Sequence, residues 1–131
     1  MFPQVMLAVS SELPPAEAAR LQGYRRYTVT GQVYPALARS PGSIVDGVLY
    51  HDLSRRLMAR LDRYEGSEYR RSRLRVTNAS GLQAFAWVYV PRRFPDSESA
   101  QRDWIVTEFE TQHLDRWCRQ LHRTQRHPTA R

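Results

Sequence analysis

Lysine is absent from this 131-residue chain, cysteine occurs once, and no uninterrupted apolar run is longer than the seven residues Ala84 to Val90. Each scarcity excludes something. A helix needs about 20 apolar residues to cross a bilayer, so no membrane partner is expected. The single thiol, Cys118, can close no intrachain disulfide, and nothing else points to an oxidising compartment. Met1 to Val9 is apolar, but it holds Pro3 and Gln4 and lacks a basic leading region and a clear cleavage site, unlike a signal peptide. The expectation is a cytoplasmic protein.

With lysine missing, all 20 basic residues are arginine, and against 13 acidic residues they give a net charge of +7. Four of them, Arg119, Arg123, Arg126 and Arg131, follow Cys118 with no acid among them, so the tail carries +4 and the rest of the chain +3. A nucleic-acid domain normally shows a basic stripe interleaved with aromatics or a recognisable module. Neither is present, and nucleic acid is not an expected partner.

Apolar residues at 41% and aromatics at 11% suffice for a core, and the length suits one domain. That domain is read as residues 1–118, with 119–131 as the basic end of a C-terminal helix and its tail. A short helix is expected from about Pro3 to Val9. Residues 10–19, with Pro14 and Pro15, read as a loop. Strand patterning starts at Leu21, where Tyr27 and Val29 alternate with polar neighbours, and Gly31 interrupts it. Val33 to Ala38 reads as extended, Pro41 to Ser43 as a turn, and Ile44 to Tyr50 as a further strand.

The clearest helix follows. Ser54 is placed to cap it, Leu53 and Met58 form a hydrophobic staple, and Gly66 stands where the helix should stop. Leu57, Met58, Leu61 and Tyr64 make its apolar face, with Arg55, Arg56, Arg60 and Arg63 on the wet side. Tyr69 to Thr77 reads as a half-buried strand, turned at Asn78 to Gly81 into a partner strand from Leu82 to Val90 expected to be covered on both faces. The Arg71, Arg73 and Arg75 face of the first strand reads as solvated surface or as a site for an acidic partner. A long helix is predicted over about Ser97 to His122, carrying Ile105, Phe109, Leu114, Trp117, Cys118 and Leu121 on one face.

Few residues stand out for chemistry. His51, His113, His122 and His127 have no partners at metal-ligand spacing, and neither a nucleophile elbow nor a glycine-rich phosphate loop occurs. No metal and no cofactor are expected. Cys118 reads as packing. Glu65 is different: it ends a helix, where the macrodipole disfavours a negative charge and should raise its pKa towards that of a general base at neutral pH. From position alone it reads equally as a solvated glutamate at a cap. Tyr27, Tyr34, Tyr50, Tyr64, Tyr69 and Tyr89 could line a pocket or simply fill the core.

Five blocks in order say more: Gly23-Tyr24-Arg25-Arg26-Tyr27; Gly31 with Tyr34-Pro35-Ala36-Leu37; Val45 to Tyr50; Leu61 to Arg70; and Val88-Tyr89-Val90. Together they resemble the gamma-glutamylcyclotransferase-like family, which includes gamma-glutamylamine cyclotransferases and plant avirulence-induced proteins, and the helix around Phe109 is similar to the C-terminal helix of the plant type. The resemblance implies an α+β fold, a small mixed β-barrel with flanking helices, and a pocket for a small gamma-glutamyl substrate. It implies Glu65 as catalytic acid/base and Tyr34, Pro35, Tyr69 and Tyr89 as substrate-binding residues. The reaction implied releases 5-oxoproline and an amine or amino acid.

The sequence departs from the family at its start. Members begin with a strand and a Tyr-Gly-Ser/Thr-Leu loop whose backbone N–H groups bind substrate, whereas Met1 to Val5 looks like the helix that follows that loop. A misplaced start, a shortened chain and a relative that has lost activity are all consistent with this. A missing strand would expose edges that invite self-association. Two functions are therefore carried forward, a cyclotransferase and a non-catalytic binding protein on the same fold, with nucleic-acid binding by the arginine tail last.

Overall fold

The computed structural model describes residues 1–95 and 102–126, with side chains through Arg123. In chain order the elements are α1 (Pro3–Ser10), β1 (Ala16–Thr28), β2 (Pro35–Tyr50), α2 (Arg55–Glu65), β3 (Tyr69–Thr77), β4 (Gln83–Pro91), α3 (Val106–Gln112) and α4 (Leu114–Arg126). The strands form one antiparallel sheet in the order β2-β1-β3-β4. The α+β class expected from the sequence holds. The sheet, however, is not mixed and does not close into a barrel. Two long hairpins, β1–β2 and β3–β4, are joined by one ladder pair, Arg20 with Thr77, and no ladder closes between β2 and β4.

Sequence patterning misplaced several boundaries. Ala16 to Ala19, expected in a loop, pairs with Tyr50 to Gly47, and the His51 N–H donates to the Pro15 carbonyl at 2.8 Å to close that end. Pro41 to Ser43 is no turn: β2 runs through it as a bulge, since five steps from Ile44 to Arg39 face two steps from Gln22 to Tyr24. Gly23 and Gly42 both take positive φ here, and the Ser40 and Ser43 hydroxyls bond across the bulge at 2.7 Å. The bulge lets one strand bend without ending.

The C-terminal helix also differs. Residues 97–101 lie outside those described, and helix begins only at Val106, then breaks at His113 into α3 and α4. Arg102 to Trp104 are extended instead. They lie along the other edge of β1, where the Thr28 N–H donates to the Arg102 carbonyl at 2.8 Å and the Trp104 N–H to that of Arg26 at 3.3 Å. Ile105 is exposed rather than on the buried face.

The helices pack together over the sheet. Val5, Met6 and Val9 of α1 meet Leu57 and Leu61 of α2, Phe109 of α3 and Leu114 of α4 in one buried cluster. A smaller cluster of Tyr27, Ala36 and Ala38 joins the β1–β2 hairpin to Tyr69. Helix α2 begins as its sequence dictates: the Ser54 hydroxyl accepts from the Leu57 N–H at 3.1 Å, and Gly66 at φ 81° ends it. Arg60 leaves the wet side to donate to the Ser10 carbonyl at 2.6 Å, tying α2 to α1. Ser54→Ala is expected to cost about 1 kcal/mol of stability, read as a lowered denaturation midpoint with an unchanged slope.

Candidate active site

The last turn of α2 carries two carboxylates three residues apart, and the structure separates their roles. Asp62 faces the β3–β4 hairpin. Arg71 pairs with it at 2.8 Å and the Tyr89 hydroxyl donates to it at 2.6 Å, so both side chains that fix it come from the adjacent strands. Asp62 thus anchors the helix end to the hairpin. Sequence analysis assigned this carboxylate no part; its two partners, Arg71 and Tyr89, stand directly opposite each other on the hairpin, a register that only the fold discloses.

Glu65, one turn on, is half-buried among aromatic side chains. Burial pushes its carboxyl up from the usual range to about 7, against the opposing pull of the Met1 amino group. The direction matches the sequence-based expectation, although burial rather than the helix dipole is the cause. The Met1 amino group is itself lowered, first by burial and then by Arg26, while Glu65 acts to raise it. These three charges share one neighbourhood.

Three phenols feel the charge of this carboxyl. Tyr64 is pushed to about 12 by burial, against the hydrogen bond it accepts from the Trp117 indole at 3.0 Å and with Glu65 adding to the rise. Tyr69, the first residue of β3, is pushed to about 12 by burial, with Tyr34, Tyr27 and Glu65 adding to it. Tyr89 is raised further still, by burial first and then by its bond to Asp62, and it too feels Glu65. All three hydroxyls therefore stay protonated at neutral pH and remain hydrogen-bond donors.

The β1–β2 hairpin supplies the opposite wall. Tyr34 rests against Trp117 of α4 with ring centroids 5.7 Å apart, and Trp117 in turn holds Tyr64. Pro35 opens β2 opposite Thr28, next to the Ala36 that packs beside Tyr69. Of the residues singled out from the sequence, Glu65, Tyr34 and Tyr69 lie within electrostatic reach of one another, Tyr89 is tied to the same helix end through Asp62, and Pro35 is placed only by its pairing with Thr28. Trp117 was read only as a core residue, yet it is the link between Tyr34 and Tyr64. A separate depression of about 220 Å³, lined by Glu12, Leu13, Pro14, Pro15, Asp52, Ser54 and Leu57, lies at the other end of α2 and includes none of these groups.

A carboxyl poised near neutrality beside fixed neutral donors can take up and return a proton within one reaction cycle. Among the described residues no cluster of histidine, cysteine and carboxylates could hold a metal ion, and no helix is long and apolar enough to cross a membrane.

Comparison with known proteins bears on the family and the fold. The chain is similar to Protein AIG2 A of Arabidopsis thaliana, 23% identical over 115 residues that make up 88% of this chain and 68% of that protein. It is likewise similar to AIG2-like protein D of the same plant, 25% identical over 119 residues, 88% of this chain and 76% of the relative. Two solution structures of Arabidopsis thaliana proteins share the fold: one has a TM-score of 0.70 at 21% identity, covering 95% of this chain and 76% of that one, and the other 0.66 at 22%, covering 98% and 87%. The family model described as gamma-glutamyl cyclotransferase, AIG2-like, matches residues 1–109, and the chain belongs to that family.

Proposed function

We propose that this protein cyclises a gamma-glutamyl amine or peptide, with Glu65 as general acid and base. The carrying observation is the Glu65 carboxyl, raised by burial to about 7 within electrostatic reach of three neutral phenols on a chain of this family. In the substrate an α-ammonium group must lose a proton before its nitrogen can attack the γ-carbonyl and close a five-membered ring, a step favoured by holding the two groups in contact. As a carboxylate, Glu65 takes that proton. The free amine attacks, and the tetrahedral intermediate then collapses: the ring nitrogen gives up its second proton to solvent, the bond to the leaving nitrogen breaks, Glu65 returns the first proton to that nitrogen, and 5-oxoproline and a free amine depart.

Tyr34, Pro35 and Tyr69 form the substrate-binding wall in this reading, and Tyr89 keeps Asp62, and hence the helix end, in place. The neutral hydroxyls suit a polar, zwitterionic head group, and no cofactor is needed for the proton transfers. A titrating base sets the pH dependence. Glu65 must be ionised to accept the proton, so kcat/KM for 5-oxoproline release is expected to rise with pH along a limb centred near 7, the value to which burial brings this carboxyl. A profile already flat from pH 5 upward would contradict the assignment. A folded chain that binds gamma-glutamyl compounds but releases no 5-oxoproline would instead support the binding-protein reading.

A further inference from the structure

One face of the β3–β4 hairpin places Arg71, Arg73 and Arg75 directly across from Tyr89, Trp87 and Phe85. Helix α2 divides this row. It covers the Arg71–Tyr89 end through Asp62 and leaves the rest open, so Trp87 is 58% and Phe85 57% exposed. The sequence pattern led to the expectation that β4 is covered on both faces, and here that expectation fails, because the helix layer ends before the hairpin does.

Arginine partly covers these rings. The Arg73 guanidinium lies 4.6 Å and that of Arg75 5.6 Å from the Phe85 ring centre, and that of Arg71 lies 5.4 Å from Trp87. Arg71 is also engaged by Asp62. Among the described residues, Arg73 and Arg75 meet no carboxylate. A guanidinium stacked on a ring keeps its N–H groups in its own plane, so stacking orients the fork while leaving it open for a bidentate carboxylate. The two arginines are two residues apart on one strand, about 7 Å, which is the repeat of same-side residues in any extended chain.

We propose that this face docks an acidic extended segment of a partner protein, with glutamates at alternate positions bound by Arg73 and Arg75 and their methylene stems lying on Phe85 and Trp87. A second copy of this chain does not fit, because it would set arginine against arginine. Single-stranded nucleic acid fits less well than the peptide, since the ring of Phe85 that a base would stack on is already taken by guanidinium groups. The surface lies apart from Glu65, so its test is independent of the proposed reaction.

The test is fluorescence anisotropy of a labelled peptide of four Glu-Thr repeats titrated with the full chain, beside a Gln-Thr peptide and an eight-residue oligothymidylate. The glutamate peptide is expected to bind and the glutamine peptide to bind about tenfold or more weakly, as loss of charge-assisted hydrogen bonds requires. Arg73→Gln with Arg75→Gln should bring the glutamate peptide down to the same level. Arg73→Glu with Arg75→Glu should transfer binding to a Lys-Thr peptide, a gain that unfolding could not produce. Equal binding of the glutamate and glutamine peptides, an unchanged affinity in the arginine variants, or tighter binding of the oligothymidylate would each overturn the proposal.

Discussion

Glu65→Gln is expected to lower 5-oxoproline release by a factor of about 10² to 10⁴, the range that positioned acid/base groups supply, while the protein stays folded. The amide keeps the size of the carboxyl and cannot carry the proton. Stability provides the internal control. For an acid whose pKa is raised on folding, the folded state binds the proton more tightly than the unfolded chain does, so stability is complete below the unfolded value and declines as pH rises towards the folded one. With Glu65 moved from 4.5 to about 7, that window runs between those two values. Above it, ionising the buried carboxyl costs on the order of 3 kcal/mol. The glutamine variant escapes that cost, so at pH 8 it should melt no lower than the parent while losing turnover. A variant that melts lower at pH 8, or that keeps its activity, would show that Glu65 serves the fold and not the reaction.

Phe109→Ala is expected to be the most damaging single change to the fold, at about 3 to 5 kcal/mol. Phe109 is 5% exposed and touches more rings than any other side chain described: Phe2 at 5.6 Å, Trp104 at 5.5 Å, His113 at 6.1 Å and Trp117 at 6.3 Å. It joins α1, the extended segment along β1, and both C-terminal helices. Against a typical total of about 5 to 15 kcal/mol, such a loss brings a domain close to its unfolding midpoint at ordinary temperature. Denaturant titration measures the loss directly. Emission from Trp104 and Trp117 should shift to the red in the folded variant, since both would lose a packing partner; an unshifted spectrum with a loss below about 1 kcal/mol would mean that the cluster closes over the gap.

What the sequence disclosed follows from how local each signal is. Helix α2 was legible at both ends because Ser54, the Leu53–Met58 staple and Gly66 act within a few residues of the backbone they stop or start. The turn at Asn78 to Gly81 was legible for the same reason: Asn78 accepts from the Ser80 and Leu82 N–H groups, each at 3.0 Å. Ala16 to Ala19 was not legible, since Ala-Glu-Ala-Ala has no strand preference of its own and becomes strand only by pairing with Gly47 to Tyr50. Trp104 fell inside the helix predicted over Ser97 to His122, but its indole donates to the Val33 carbonyl at 2.9 Å and its backbone to β1, contacts separated too widely in sequence for any periodicity to reveal. Glu65 was visible as a candidate from the helix end and the resemblance. Its burial was not, because burial depends on packing between elements far apart in sequence: the charges that sense it lie at Met1 and at Tyr69 and Tyr89 of the β3–β4 hairpin.

The single pairing of Arg20 with Thr77 has a mechanical consequence. Tyr34 and Pro35 ride on one hairpin, whereas Asp62 clamps the Glu65 turn to the other, so the two walls of the proposed site belong to hairpins joined by one ladder pair, the fulcrum, and by the packing of Tyr69 on Tyr27, Ala36 and Ala38. A small rotation about that fulcrum changes the gap between the walls while leaving the pairing within each hairpin intact. That angle is held by aromatic contacts, Tyr34 on Trp117 and Trp117 on Tyr64, which tie the first hairpin to α4 and α2.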